Sequence, residues 1–228
     1  MTNDVLRATE ARLADAAVHD RPFVTLSYAQ SLDGSIAAAD GRPLPLSSPS
    51  SLFRTHALRA RHDGLLVGIG TILADDPQLT VRHAPGPAPQ PVVLDSHLNA
   101  PRSARIFAHP RAPWFVAAAP ASPPRRAALV AGGAQVIEVR PAAEGVDLGE
   151  TLAALRRRGL TSVMVEGGAR VLRSFLAARL ADWIVVTLAP VFAAGKPALP
   201  TGSSDLPGLR LIGWQASGPD LIVWGELA

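Results

Sequence analysis

The sequence predicts an α/β fold with a mostly parallel sheet, flanking helices and an antiparallel strand at its C-terminal edge. Short runs of apolar and β-branched residues, typical of buried strands, alternate with longer helical stretches over most of the chain. This alternation favours parallel strands joined by helical crossovers. A last apolar run, residues 221–224, predicts a closing strand that pairs antiparallel at an edge.

Four stretches have the composition and spacing of helices. The first places apolar side chains among charged positions, and we interpret residues 1–20 as a helical extension ahead of the main fold. The third ends at Gly159, and glycine is the residue that most often follows a helix. The predicted helices span residues 4–18, 50–61, 148–158 and 169–178.

Eight short apolar runs predict strands. The first ends before Asp33 and Gly34, a pair typical of turns. The Pro- and Ala-rich segments 84–91, 110–113 and 119–124 are interpreted as loops, and residues 195–207 as a long loop near a ligand. The predicted strands span residues 23–28, 65–67, 92–94, 114–118, 135–139, 161–165, 183–188 and 221–224.

Length and composition limit the classes of protein to which this chain can belong. The chain has 228 residues, 48% of them hydrophobic, and no internal repeat or clear boundary, so we expect one domain over residues 1–228. It lacks an apolar stretch long enough to span a bilayer and the basic-then-apolar order of a signal peptide, which favours the cytoplasm. The absence of cysteine excludes disulfides, thiolate nucleophiles and thiolate metal sites.

The charge of the chain suits small anionic ligands. Its net charge of +3 comes almost entirely from arginine, because Lys196 is the only lysine. Arginine forms bidentate contacts with phosphate groups. The arginines are scattered rather than clustered with aromatic residues, and Tyr28 is the only tyrosine, so nucleic-acid binding is the weaker interpretation.

The most informative stretch covers residues 65–82. An apolar strand runs into Gly68 and Gly70, which lack a Cβ and therefore let a ligand approach the backbone. A hydroxyl, two carboxylates and a short β-type run ending in Arg82 follow. These groups beside an open backbone predict a site for a polar, phosphorylated ligand.

A second site is predicted where a buried strand ends in Glu166 and two glycines open the next helix. The free N–H groups and positive dipole of that helix favour a dinucleotide pyrophosphate, with Arg170 within reach. The alternative is that Gly167 and Gly168 only make a tight turn. The glycines of the first site do not complete the G-x-G-x-x-G pattern, so a Rossmann dehydrogenase is disfavoured.

Several motifs together resemble one family. They are Ser31-Leu32-Asp33-Gly34, residues 58–82, Val92-Val93-Leu94-Asp95-Ser96, Val165-Glu166-Gly167-Gly168-Ala169, and Leu180-Ala181-Asp182 leading into Ala189-Pro190. Over nearly its whole length the chain is similar to the reductases of riboflavin biosynthesis, which occur alone or fused behind a zinc deaminase. The resemblance implies a dihydrofolate-reductase-like α/β fold, NADPH and a homodimer. It also implies reduction of the ribosyl group of 5-amino-6-(5-phosphoribosylamino)uracil to ribityl.

The resemblance implies roles for individual residues. Arg59, Leu79, Arg82 and Glu166 would contact the substrate, and the two arginines would clamp its 5′-phosphate. Asp33 and Glu166 are the candidates for proton transfer as the sugar ring opens, with a water as the third. No acidic or histidine cluster has metal-ligand spacing, so no metal is expected. The implied cofactor contacts are Ala29, Thr71, Asp75, Ser96, Gly167, Gly168, Ala169, Arg170, Val171, Leu172, Arg173 and Ser174.

Several of these residues have simpler structural alternatives. Asp33 belongs to a turn signature, Asp75 can cap a turn, and Arg59 can be a solvated residue on a helix. Arg170 or Arg173 is the candidate for a 2′-phosphate contact that would favour NADPH over NADH.

Residues 43–47 leave the identity of the substrate undecided. Fused bacterial members carry a serine and then Trp-Ile-Thr in this region, whereas this chain has Pro43, Pro45 and Leu46. The alternatives are the non-deaminated 2,5-diamino-6-ribosylamino-pyrimidinone 5′-phosphate, a related pyrimidine or pteridine, and a nucleotide-binding module without turnover. Because the chain has no cysteine for a deaminase zinc site, a separate protein is expected to perform the deamination.

Overall fold

Within residues 4–15, 20–199 and 207–228, which the computed structural model describes, the chain forms six α-helices and thirteen strands. The helices are α1 Val5–Asp15, α2 Pro49–Arg59, α3 Ile69–Asp75, α4 Pro123–Ala131, α5 Leu148–Arg157 and α6 Ala169–Ala177. The strands are β1 Phe23–Ser31, β2 Ser35–Ala37, β3 Gly64–Gly68, β4 Gln90–Leu94, β5 Trp114–Ala118, β6 Gln135–Val139, β7 Pro141–Ala142, β8 Gly145–Val146, β9 Ser162–Val165, β10 Trp183–Ala189, β11 Lys196–Pro197, β12 Leu209–Ser217 and β13 Asp220–Leu227.

Across the described ranges, nine strands form one sheet in the order β12–β13–β10–β1–β9–β3–β4–β5–β6. All neighbours from β10 to β6 are parallel, whereas β13 pairs antiparallel with β10 and β12 pairs antiparallel with β13. The predicted α/β fold with a mostly parallel sheet and an antiparallel C-terminal edge is confirmed. The last predicted strand lies within β13, and β12 next to it is the edge strand of the sheet.

Both faces of the parallel strands are buried, which explains their continuous apolar runs. Successive side chains of β3 point to opposite faces, so Leu65 and Val67 join one core cluster with Phe115. Leu66 joins the other cluster with Phe175, and all five side chains are fully buried. Helices α1, α2 and α4 pack on the first face and α5 and α6 on the second.

Each predicted helix and strand overlaps an observed one, although several ends differ. Residues 16–18 of the first predicted helix and residues 200–206 of the predicted long loop lie outside the described residues. Helix α1 packs into the fold, because Val5 is fully buried and its N–H donates to Gln215 Oε1 at 2.8 Å. None of the helices in the described ranges is long and apolar enough to cross a membrane.

The sequence did not predict seven of these helices and strands, which are α3, α4, β12 and the short strands β2, β7, β8 and β11. Helix α3 has seven residues and buries only Ile72, so it has little helical pattern to detect. Helix α4 starts at Pro123 inside a segment interpreted as a loop, since proline suits the first turn of a helix as well as a loop. Strand β12 contains Gly213, whose lack of a Cβ lets the Trp224 ring pack against it.

The predicted β-type run before Arg82 is not a strand. The chain beyond α3 is irregular, because Asp76 and Leu79 have left-handed φ angles of 41° and 54°. Strand β4 begins at Gln90, which lies inside another segment interpreted as a loop.

Two glycines let α6 approach the sheet closely. A Cβ on Gly167 would lie 2.7 Å from the Cβ of Val171, and a Cβ on Gly68 would lie 2.8 Å from its Cγ2. Side-chain carbons do not approach that closely, so both positions need glycine. Val171, in the first turn of α6, therefore rests on the end of β3 and on the turn after β9.

We expect Gly167→Ala to lower the free energy of unfolding by about 1–3 kcal/mol, because the added methyl group overpacks the contact with Val171. Gly70→Ala is the control, since a Cβ there meets no atom within 4 Å. It should leave stability unchanged or raise it by up to about 1 kcal/mol, because alanine favours a helix more than glycine does. Urea denaturation of the ligand-free protein measures both values, and equal losses would contradict the close-contact role of Gly167.

Candidate active site

A cleft of about 1540 Å³ opens at the carboxyl ends of the parallel strands. The ends of β1, β3 and β4 and the turn after β9 line it, together with α3, the first turns of α6 and the β7–β8 hairpin. Ligands of open parallel sheets bind at this edge. Pockets for one small molecule usually measure about 300–1,000 Å³, so the cleft has room for two ligands.

Most of the predicted cofactor residues line this cleft. Leu172 does not, because its side chain is fully buried against the sheet in the same core cluster as Phe175. The structure brings the others together, and their roles stay predictions. The cleft-lining members are Ala29, Thr71, Asp75, Ser96, Gly167, Gly168, Ala169, Arg170, Val171, Arg173 and Ser174.

The N-terminus of α6 faces the cleft without a cap. Gly168 is the N-cap residue, and no side chain accepts a hydrogen bond from the first turn. A Cβ on Gly168 or on Gly70 would meet no atom within 4 Å, so these two glycines leave space that other protein atoms do not use. First-turn N–H groups at the positive end of a helix bind phosphate oxygens well.

An ion pair between Arg59 and Glu166 crosses one side of the cleft. Arg59 is the last residue of α2, and Glu166 follows β9. Nε and Nη2 of Arg59 each donate to one carboxylate oxygen at 2.6 Å, and Nη1 donates to the Thr80 backbone oxygen at 3.0 Å. The side chains are only 13% and 19% exposed. Burial alone would lower the pKa of Arg59, but the Glu166 carboxylate holds it above its ordinary value.

The predicted phosphate clamp of Arg59 and Arg82 stays a prediction, and the structure gives the two arginines different surroundings. Arg59 already uses its fork on Glu166, and Arg82 is exposed, lies outside the cleft lining and donates to Thr80 Oγ1 at 2.9 Å. Partial burial and the nearby charges of Arg59 and Arg105 lower the pKa of Arg82. Guanidinium groups crowded in this way favour an anion between them.

Two further contacts organise the segment around Arg82. Leu79 is a core residue that is 2% exposed and lies outside the cleft lining, so its substrate contact stays a prediction. His56 Nδ1 accepts a hydrogen bond from the Arg82 backbone N–H at 3.0 Å, which ties this segment to α2. Burial, aided by the Arg59 charge, lowers the pKa of His56 to about 3, so its ring is neutral.

Asp33 serves a turn outside the cleft lining. Its carboxylate accepts hydrogen bonds from the Ser31 hydroxyl and from the backbone N–H groups of Ala193 and Ala194, the last two at 3.1 and 2.7 Å. These hydrogen bonds, led by that from Ser31, lower the pKa of Asp33 to about 2. A carboxylate that is ionised at neutral pH has no proton to give, so the geometry favours the turn role among its two alternatives.

The β7–β8 hairpin forms a wall of the cleft and is tied to α6. Glu144 in its turn forms an ion pair with Arg173 of α6. The next residue, Gly145, has a φ of 135° and lies against Ser96, whose Oγ would be 2.9 Å from an added Cβ. Arg173 is therefore neutralised, whereas the Arg170 side chain has no ion pair or hydrogen bond to any residue that the structure describes.

The cleft contains residues that the motifs did not identify, among them Tyr28, Thr187 and Lys196. Burial raises the pKa of the Tyr28 hydroxyl, which stays protonated. Thr187 lines the cleft because β10 pairs with β1 in a register that places Thr187 beside Ala29. In the sequence, Tyr28 stands out as the only tyrosine and Lys196 as the only lysine. In the described ranges, no group of three or more His, Asp and Glu residues could hold a metal ion.

Residues 22–223 match the family described as the RibD C-terminal domain. The chain belongs to this family. This RibD C-terminal domain is 38% identical over 181 residues to the 2,5-diamino-6-ribosylamino-4(3H)-pyrimidinone 5′-phosphate reductase of Methanothermobacter thermautotrophicus. The shared region covers 78% of this chain and 82% of that relative. The resemblance to riboflavin-biosynthesis reductases is confirmed.

Two solved structures resemble this chain in fold. It is 27% identical to the Thermotoga maritima diaminohydroxyphosphoribosylaminopyrimidine deaminase/5-amino-6-(5-phosphoribosylamino)uracil reductase, with a TM-score of 0.73, over 91% of this chain and 57% of that one. The domain thus spans little more than half of that longer protein. Dihydrofolate reductase from Enterococcus faecalis, complexed with NADP(H), has a TM-score of 0.52 at 15% identity, over 90% of this chain and 96% of that one. This likeness confirms the predicted dihydrofolate-reductase-like fold and nothing beyond the fold.

Removing the Glu166 carboxylate should lower the stability of the fold. We expect Glu166→Ala to lower the free energy of unfolding by about 2–3 kcal/mol, because it leaves the buried Arg59 guanidinium unpaired. The control is Glu10→Ala, which breaks the more exposed pair with Arg61 (30% and 50% exposed) and should cost less than about 1 kcal/mol. Urea denaturation without ligand measures both, and equal small losses would show that the Arg59–Glu166 pair contributes little to the fold.

Proposed function

We propose that this RibD C-terminal domain uses NADPH to reduce the ribosyl group of a 5-phosphoribosylaminopyrimidine to ribityl. The observation that carries the proposal is one cleft in which the uncapped N-terminus of α6 lies beside the Arg59–Glu166 pair. The first feature suits a dinucleotide and the second a polar co-substrate. The pyrimidine is the 2,5-diamino compound or 5-amino-6-(5-phosphoribosylamino)uracil, since relatives are named as reductases of each.

The residues present fit a nicotinamide dinucleotide. Gly168 leaves open space at the positive end of α6, and the Arg170 side chain next to it is unpaired within the described ranges, so both suit the pyrophosphate. Ala29, Thr71, Asp75 and Ser96 would complete the site along the ends of β1, β3 and β4. When bound, the cofactor supplies a hydride from C4 of its dihydronicotinamide.

The substrate would lie on the Glu166 side of the cleft. Arg59 fixes the orientation of the Glu166 carboxylate, which can then accept hydrogen bonds from the pyrimidine or the sugar hydroxyls. Arg82, whose charge is crowded by Arg59 and Arg105, is the cation suited to the 5′-phosphate. Lys196 lines the same cleft and adds a second positive charge.

The reaction opens the furanose ring before reduction. The C1′–O4′ bond breaks, the ring oxygen takes a proton to become a hydroxyl, and the exocyclic nitrogen loses its proton and forms a C1′=N bond. Addition of hydride to C1′ and of a proton to the nitrogen then gives the ribityl amine. The protein must therefore orient C1′ and give the ring oxygen access to a proton.

A water is the proton source that this proposal favours. Asp33 is ionised and engaged in its turn, and the Glu166 carboxylate is paired with Arg59, so neither side chain is suited to donate a proton. Glu166 would instead orient the sugar and an adjacent water. Its role in the chemistry would be positioning and electrostatic.

The competing function is a nucleotide-binding module without turnover. Arg59, Glu166 and Lys196 also line the cleft, and a dinucleotide held at the N-terminus of α6 does not by itself account for these groups. From the resemblance we also propose a homodimer. A separate protein would perform the deamination, because this chain has no cysteine for a zinc deaminase site.

Absorbance at 340 nm during NADPH oxidation tests the proposal, with each pyrimidine offered separately. We expect turnover with at least one of them, and a ribityl product whose C1′ carries deuterium when the cofactor is deuterated at C4. Binding of NADPH without turnover of either pyrimidine would support the non-catalytic module instead.

Gly168→Val should raise the KM for NADPH by at least about tenfold, because it fills the open space at α6 and removes charge-assisted hydrogen bonds. Gly208→Val is the control, since a Cβ at that exposed glycine also meets nothing within 4 Å but lies outside the cleft lining. It should leave the KM unchanged.

A further inference from the structure

The segment from residue 77 to Arg82 is held by side chains rather than by its own backbone. Among the described residues, no backbone–backbone hydrogen bond involves residues 77–82. Asp76 and Leu79 have left-handed φ angles, so no helix or strand continues through this part of the chain. Such a stretch keeps one conformation only where other groups bind its backbone. The contacts that do so therefore decide where the Arg82 side chain lies.

Two residues of α2 bind this segment. His56 and Arg59 are three positions apart, so their side chains project from one face of the helix. Nη1 of Arg59 donates to the Thr80 backbone oxygen at 3.0 Å, while its other two nitrogens donate to Glu166 in the cleft. Nδ1 of His56 accepts a hydrogen bond from the Arg82 backbone N–H at 3.0 Å. Helix α2 therefore sets the position of Arg82 relative to Glu166.

The surroundings of His56 suit it to accept this hydrogen bond. A backbone N–H can only donate, so Nδ1 is the accepting nitrogen and Nε2 carries the ring proton. His56 is only 3% exposed, so water does not compete for Nδ1. Burial and the nearby charge of Arg59 lower the pKa of His56, which keeps Nδ1 free of a proton. His56 lies outside the cleft lining, and the proposed reaction does not use it.

We propose that His56 is a positioning residue for the substrate, because its hydrogen bond to the Arg82 N–H holds the Arg82 guanidinium where it binds the 5′-phosphate of the pyrimidine. The inference rests on the proposed function, which assigns Arg82 to that phosphate. The Arg82 side chain itself donates only to Thr80 Oγ1, within the same segment. That bond moves with the segment and cannot fix it to the rest of the fold. Of the two bonds from α2, the one from His56 acts on Arg82 directly.

Calorimetric binding to the full chain in the presence of NADP⁺, where no reduction can occur, tests this inference. Each of the two pyrimidines is titrated with and without its 5′-phosphate. The variants are His56→Leu and His56→Asn, which have nearly the same shape and differ in whether an oxygen can take the place of Nδ1. We expect His56→Leu to weaken binding of the phosphorylated pyrimidine at least about tenfold, the loss of one charge-assisted hydrogen bond. Binding of the unphosphorylated pyrimidine and of NADP⁺ should stay within about threefold.

Three further variants separate positioning from a general loss of structure. His56→Asn should restore binding of the phosphorylated pyrimidine to within about threefold of wild type, because its Oδ1 can accept the Arg82 N–H. His83→Ala removes the exposed imidazole next to Arg82 and should leave both affinities unchanged. In an Arg82→Ala background, His56→Leu should weaken binding by less than about threefold, because the side chain that His56 positions is gone.

The opposite outcomes separate this inference from the proposed function. Equal effects of His56→Leu and His56→Asn, or equal weakening of the phosphorylated and unphosphorylated pyrimidines, would overturn the role of His56 and leave the reductase proposal standing. Additive effects of His56→Leu and Arg82→Ala would do the same. Binding of a pyrimidine by the wild type without NADPH oxidation would overturn the proposed function, while the affinities would still decide the role of His56. Failure of the wild type to bind either pyrimidine would overturn both proposals.

Discussion

The close approach of α6 to the sheet is the constraint on which the rest of the site depends. Val171 can rest on Gly68 and Gly167 only because neither glycine carries a Cβ. That contact places the uncapped first turn of α6 at the carboxyl ends of β3 and β9, beside Glu166. The same turn contains Gly168, whose missing side chain leaves the helix end open to the cleft. One packing contact and one open position therefore create the binding edge.

The charges around the cleft follow from that framework. Glu166 follows β9, and its carboxylate forms an ion pair with Arg59 from α2. This pair compensates the negative charge of Glu166. Lys196 and Arg170 line the same cleft, and Arg82 lies outside its lining, near the charges of Arg59 and Arg105. The only uncompensated charges among these residues are positive. Positive charge in the cleft suits anionic ligands.

Periodic and contiguous features of the site could be predicted from the sequence, and long-range ones could not. The turn from Glu166 to Gly168 consists of adjacent residues and can be recognised locally, and the helix after it has clear apolar spacing. The Arg59–Glu166 pair joins residues 107 positions apart, and no local pattern reveals it. The sequence therefore did not show that Arg59, one of the two arginines of the predicted phosphate clamp, is paired with Glu166. Leu172 is different: helical spacing places it on the buried face with Phe175 and Leu176, so the sequence could have excluded its side chain.

A crystal structure of the protein with NADP⁺ tests the central claim most directly. We expect the pyrophosphate oxygens within about 3.2 Å of backbone nitrogens in the first turn of α6, next to Gly168, with Val171 still packed on Gly68 and Gly167. A dinucleotide whose pyrophosphate lies elsewhere, with the N-terminus of α6 left facing solvent, would contradict the claim that this helix end is the cofactor's anchor.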